Sequence, residues 1–182
     1  MLTGAPGSGK TTLGRQISDA LRIPFIARDD VRGGMALTAG AWRDTLEQLP
    51  SGDVAVDAFL DIVESSLQHG VSCIAEYVFR SNRPGDLERL LAAGDAVVVI
   101  THCSDTEPRL IERNDRDRLV ANPAVLRAAG FASVAEHTAA MTERMRAVQL
   151  EMTTSFPVPT LMVDTTAGYD PNFDMILAFA VR

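Results

Sequence analysis

An α/β fold, with a parallel sheet covered on both faces, follows from three features of the sequence. Short apolar runs alternate with helical stretches along all 182 residues. The runs are continuous and rich in Val and Ile, as strands buried on both faces must be. A glycine-rich turn follows the first run directly and opens a helical stretch. The length fits one domain, residues 1–182, with enough chain to bury a core.

In chain order the strand candidates are MLT (1–3), IPFIA (23–27), VSCIAEYVF (71–79), AVVVITH (96–102) and VPTLMVD (158–164). The first has three residues where several apolar ones are expected, so the strand is short or begins further upstream. Helices are predicted near 10–22, 52–69, 85–93, 105–117, 133–153 and 171–181. Ser104 with Glu107, and Ser133 with Glu136, have the spacing of capping boxes. Asp170 followed by Pro171 predicts an N-cap with proline at the first helical position.

The net charge of −7 argues against a nucleic-acid coat or an anionic-membrane binder, while leaving room for a small basic cleft. No apolar run approaches the roughly 20 residues of a membrane span, and the N-terminus lacks a signal-peptide layout. Cys73 and Cys103 lie in or beside apolar runs, which reads as reduced, buried thiols and a cytoplasmic protein. A monomer or homodimer is expected.

Lys10 is the only lysine; every other basic side chain is arginine. It sits in GAPGSGKT, residues 4–11, which matches G-x-x-x-x-G-K-[ST] between a strand and a helix. Each residue type has a reason. Gly4, Gly7 and Gly9, with Ala5, Pro6 and Ser8 between them, let the backbone turn its N–H groups toward phosphate oxygens. The helix opening at Lys10, Thr11 and Thr12 adds its positive end. Lys10 reaches the β- and γ-phosphates as a point charge that a planar guanidinium cannot replace in so closed a loop. Thr11 ligates Mg²⁺. The pattern predicts a P-loop that binds ATP with Mg²⁺.

What happens to the γ-phosphate depends on residues elsewhere. ARDDVRGG (27–34) follows the second strand, so its carboxylates face the same crevice as the glycine loop. Asp29 or Asp30 is the candidate general base for an attacking hydroxyl, and Arg28 or Arg32 a partner for an anionic group. An Asp cap on a short helix with solvated arginines explains the same residues equally well. Glu76, ending VSCIA, is placed to reach the Mg²⁺ water shell beside Thr11, or to be a buried glutamate with a local partner. RLIERNDRDR (109–118) carries Arg109, Arg113, Arg116 and Arg118, as a mobile lid requires. Its interleaved acids also fit an ion-pair lattice on a solvated helix. His69, His102 and His137 form no metal constellation, and His102 reads more readily as a core histidine than as a site residue.

The glycine loop, RDDVR, Glu76, the arginine-rich segment and VDTT (163–166) together resemble the small P-loop kinases, the AAA_33 and chloramphenicol phosphotransferase-like group. GAPGSGKTT with RDDVR also resembles the kinase domain of phage-type polynucleotide 5′-hydroxyl kinases. Both resemblances imply Asp29 as base, and the second implies Arg32 on substrate phosphate. They further imply a P-loop NTPase three-layer α/β/α sandwich with sheet order 2-3-1-4-5 and a helical lid within about 114–132. Arg113 then lies near adenine, Arg116 acts from the lid, and Asp164 and Thr165 border the base. Residues 33–50, with Met35, Trp42 and Arg43, border the acceptor pocket. The expected activity is transfer of the γ-phosphate of ATP to a hydroxyl of a small molecule, an antibiotic or metabolite. A polynucleotide 5′-kinase is the first alternative, disfavoured by net acidity and by the lack of basic–aromatic interleaving. An ATPase or switch module without an acceptor is the second.

Overall fold

Each strand is only as long as its neighbours allow. In the computed structural model, which describes residues 1–38, 52–104, 108–109 and 132–182, five strands pair in parallel in the order β2-β3-β1-β4-β5. They are β1 (Leu2–Gly4), β2 (Phe25–Ala27), β3 (Ile74–Glu76), β4 (Val98–His102) and β5 (Thr160–Asp164). β1 is central, with Leu2 opposite both Glu76 and Val99. This is the predicted P-loop α/β architecture, sheet order included.

Six helices are described: α1 (Lys10–Leu21), α2 (Arg28–Thr38), α3 (Gly52–Gln68), α4 (Pro84–Ala93), α5 (Val134–Glu151) and α6 (Phe173–Ala180). On one face, Leu2, Ile74, Val99 and Val163 pack with Leu13 and Ile17 of α1 and Ile176 and Phe179 of α6. On the other, Ala75, Tyr77 and Phe79 pack with Val56, Phe59, Leu60 and Val63 of α3 and Leu90 of α4. These two apolar layers explain the continuous Val/Ile runs. α1 lies so close to the sheet that a Cβ at Gly14 would stand 2.4 Å from the Phe25 ring.

Three expectations change. The run 71–79 forms a ladder only at Ile74–Glu76, because its partner β2 ends where α2 begins at Arg28. Beyond Glu76 the chain instead meets the end of α5: Thr153 N donates to Phe79 O (2.8 Å) and Ser81 N to Glu151 O (2.8 Å). ARDDVRGG, outside the predicted helices except in its short-helix reading, begins an eleven-residue helix. Gly33 and Gly34 lower its propensity and hide it, while Asp29 and Asp30 in its first turn suit the positive end. α6 is capped by Asn172, whose Oδ1 accepts from Met175 N (3.1 Å), and not by Asp170. Both backbone groups of Asp170 are engaged with Asp164, at 2.8 and 2.9 Å.

The capping box of α5 is present in modified form. Ser133 Oγ accepts from Glu136 N (3.1 Å), and Glu136 Oε2 accepts from Ala132 N (2.7 Å) instead of the Ser133 amide. Glu107, the partner of Ser104 in the other box, and the lid at 114–132, except Ala132, lie outside the described residues. Among the described residues, Cys73 and Cys103 are free thiols; Cys103 is buried and Cys73 half-buried. No described helix is long and apolar enough to cross a membrane.

A buried polar knot fastens α4 to the end of β3. Tyr77 donates its hydroxyl to Asp86 Oδ2 (2.9 Å), and Arg83 Nε meets the same oxygen at 3.0 Å. Burial, then the Asp86 charge, push the Tyr77 phenol up to about 12. A phenol raised on folding contributes stability that is complete below its unfolded pKa, about 10, and lost as pH rises toward the folded value. Stability is therefore expected to fall steeply between about pH 10 and the folded pKa of about 12. In Tyr77→Phe that alkaline loss should shrink, as followed by urea unfolding at stepped pH.

Candidate functional site

The loop from Gly4 to Gly9 leaves the carboxyl end of β1 and delivers the chain into α1 at Lys10. Its conformation depends on three glycines of positive φ, Gly7 among them at 80°. Gly4 has φ 145°, and a Cβ there would lie 2.3 Å from Thr101 O. Gly9, the N-cap of α1, is left-handed at φ 81° and offers no side-chain cap. The first-turn amides of α1 thus keep their positive end for an anion.

The loop rests on β4. Thr101 Oγ1 donates to Thr3 O (3.3 Å), so the 2.6 Å contact between Ser8 Oγ and Thr101 Oγ1 has Ser8 as donor. Ser8 N closes the turn on Ala5 O at 3.1 Å. Lys10 is buried and folds back along the loop, its Nζ donating to Ala5 O at 2.9 Å. Thr11 Oγ1 donates to Glu76 Oε2 at 3.0 Å, across the β1–β3 pair. Glu76 itself is buried. A hydroxyl beside a buried carboxylate fits Mg²⁺, which keeps most of its waters and needs few protein ligands beyond substrate phosphates. Thr12 is exposed in the same first turn.

Asp29 and Asp30 separate clearly. Asp30 Oδ2 pairs with Arg15 Nη2 of α1 at 3.0 Å. Asp29 stays beside its neighbour Arg28, with Nη1 to Oδ1 at 3.0 Å and its side chain 56% exposed. Arg32, exposed, stands three residues on and so shares the helix face of Asp29.

On the far side of the loop the chain after β5 closes the rim. The Thr165 hydroxyl lies 2.9 Å from Ser8 O and 3.0 Å from His102 O, and one proton serves both. The same oxygen accepts from Arg109 Nη1 (3.2 Å), while Nη2 donates to Thr165 O (2.7 Å) and Thr166 O (3.1 Å). Asp164 accepts from Thr166 N at 2.7 Å, with His102 Nδ1 at 3.9 Å. Hydrogen bonds from the Thr166 side chain and backbone hold the Asp164 carboxyl below the usual carboxylate range.

A family model for an AAA domain, AAA_33, matches residues 1–149. The chain belongs to this family. Solved structures of similar fold include a candidate kinase from Chloroflexus aurantiacus, 22% identical at TM-score 0.67, over 98% of this chain and 90% of that one. A sugar kinase from Janibacter sp. HTCC2649 is 14% identical at TM-score 0.59, over 98% and 91%. A gluconokinase from Sinorhizobium meliloti 1021 is 21% identical at TM-score 0.57, over 98% and 88%. At these identities the likeness is one of fold. No curated protein matches the chain.

Several site expectations can now be located. Gly4 through Thr12, Glu76, Thr165 and Asp29 all lie at the carboxyl edge of one sheet, as this family's P-loop fold requires. Arg113, Arg116, Arg118, Trp42 and Arg43 lie outside the described residues, while Met35 is half-buried on α2. Two readings are corrected. His102 is no core histidine; its side chain is 55% exposed at the end of β4. Arg109, expected in a lid, is anchored at the rim by bonds from its terminal nitrogens to Thr165 and Thr166. The Arg109–Thr165–Ser8 chain spans more than 150 residues, and nothing in the local sequence announces it.

Thr165→Val keeps the shape and deletes the bonds to Ser8 O and His102 O. We expect it to lower unfolding free energy by about 1–3 kcal/mol through the unpaired buried carbonyl. Thr165→Ser should recover most of the loss, as measured by urea denaturation.

Proposed function

We propose that this protein is an ATP-dependent kinase that moves the γ-phosphoryl group to a hydroxyl of a small molecule. The observation that carries the reading is the pair of carboxylates flanking the glycine loop at one sheet edge. Glu76 is held on Thr11, and Asp29 starts α2 directly after β2. An ATPase needs only the first; a hydroxyl acceptor calls for the second as base. The sugar kinase and gluconokinase among the structures of similar fold support a polyhydroxylated acceptor over an antibiotic scaffold.

In this mechanism Lys10 leaves Ala5 O for the β- and γ-phosphate oxygens, and the loop amides hold the remaining charge. Thr11, with Glu76 through a water shell, would hold Mg²⁺, which would neutralise charge on the phosphates. Asp29 accepts the proton of the acceptor hydroxyl as its oxygen bonds to the γ-phosphorus and the bond to ADP breaks. Arg32, one turn on, steadies the anionic group beside it. Asp164 and Thr165 border the base; the roles expected of Arg113 at adenine and Arg116 in the lid fall outside the described residues.

The test is transfer of labelled γ-phosphate into a panel of sugars, sugar acids, hydroxylated antibiotics, nucleosides and a 5′-hydroxyl oligonucleotide. Label should enter a small molecule. Asp29→Asn should lower kcat by about 10²–10⁴-fold with ATP affinity retained, whereas Lys10→Ala should weaken both. Label on the oligonucleotide would make the protein a 5′-kinase. Free phosphate alone, indifferent to acceptors and to Asp29→Asn, would leave an ATPase.

A further inference from the structure

One arginine at the rim of the glycine loop spends its guanidinium on neutral oxygens. Arg15, Arg28 and Arg83 each meet a carboxylate at 3.0 Å. Arg109 instead gives Nη1 to the Thr165 hydroxyl (3.2 Å) and Nη2 to the carbonyls of Thr165 (2.7 Å) and Thr166 (3.1 Å). Three bonds into one turn fix both the turn and the plane of the guanidinium. The pair also packs against the loop. A Cβ at Gly9 would lie 3.5 Å from Thr165 Oγ1 and 3.8 Å from Arg109 Nη1.

The Thr165 hydroxyl has one proton to give. With Arg109 Nη1 donating to its oxygen, that proton turns to the carbonyls, Ser8 O at 2.9 Å and His102 O at 3.0 Å. His102 O already receives Thr165 N at 2.8 Å, so of the two it is Ser8 O that depends on the hydroxyl. Ser8 C=O and Gly9 N–H belong to one planar peptide and point in opposite directions. A Ser8 carbonyl held out on Thr165 therefore aims the Gly9 amide the other way. In a loop whose amides receive phosphate, that amide is one of the donors. Thr165 is buried, which keeps water from replacing the bond.

We propose that Arg109 is a positioning residue for the nucleotide: through the Thr165 hydroxyl it orients the Ser8–Gly9 peptide and so sets the affinity of the glycine loop for phosphate. This rests on the nucleotide-binding half of the reading above and not on the fate of the γ-phosphate. A permanent charge heads the relay, and hydrogen bonds in such a chain strengthen one another.

A double-mutant cycle on ligand affinity decides it, by calorimetric titration of the full chain with Mg²⁺–ATP and with Mg²⁺–tripolyphosphate, which has no base or ribose. Arg109→Gln should weaken both ligands by the same factor, about 10-fold. In a Thr165→Val background the same substitution should cost less than about 2-fold, because the link it acts through is gone. In a Thr165→Ser background, which keeps the hydroxyl, the full loss should return. A merely structural arginine would lower the unfolding free energy and leave these affinities, measured on folded protein, unchanged; that result would overturn the proposal. A full loss in the Thr165→Val background would make Arg109 a direct ligand contact and overturn it too. So would a loss for ATP with tripolyphosphate unaffected, which would place Arg109 on the nucleoside. If Arg109→Gln does not fold, Arg109→Lys enters the same cycle, with a point charge in place of the planar fork. A loss that disappears with Thr165→Val then supports the relay; no loss, or one that survives, overturns it. Wild type that binds neither ligand would sink this proposal and the nucleotide reading together. Wild type that binds both and labels no acceptor would refute the kinase reading alone.

Discussion

Two threonines hold up the glycine loop, and the rest of the site depends on them. Thr101 joins Ser8 of the loop to Thr3 of β1 through one hydroxyl, and Thr165 fixes the Ser8 carbonyl from above. Backbone that points its amides inward at an anion gives up the hydrogen bonds it would otherwise make to itself. Neighbouring strands must supply the support. The close approach of Gly4 to Thr101 O is the same constraint seen from β1. Because the supports come from β4 and the turn after β5, the loop is rigid only within a complete sheet.

That arrangement makes the site a product of layer geometry more than of any one segment. α1 is pressed against the sheet at Gly14, which fixes where Thr11 stands and lets it reach Glu76 on the neighbouring strand. α2 begins without an intervening loop after β2, so Asp29 is carried by a helix start in place of a loose connection. The Arg15–Asp30 pair joins these two helices, but both side chains are more than half exposed, and such a pair contributes little. Its effect is to separate the two adjacent aspartates.

How much of this was legible beforehand depends on the range of the interaction. The glycine loop, the strand order's components and both cores were visible because motif and apolar period are local signals. Glu76 was found because it ends an apolar run, and the Ser133 cap because its partner is three residues away. Helix α2 was foreseen only as a short alternative since two adjacent glycines disguise its propensity, and the cap of α6 was misplaced because Asp170 is drawn into a bridge with Asp164. Arg109 was grouped with its sequence neighbours although its partners lie at 165 and 166.

The bond between the Thr165 hydroxyl and the Ser8 carbonyl also orders events in time. Ser8 is made before its partner, which is 157 positions later in the chain. Until β4 is made the nucleotide loop therefore exists as sequence without support, and from then until Thr165 follows β4 alone supports it. The emerging chain completes its phosphate cradle only once Thr165 has followed the rest of the sheet, so the loop has little with which to hold ATP while the core is still assembling.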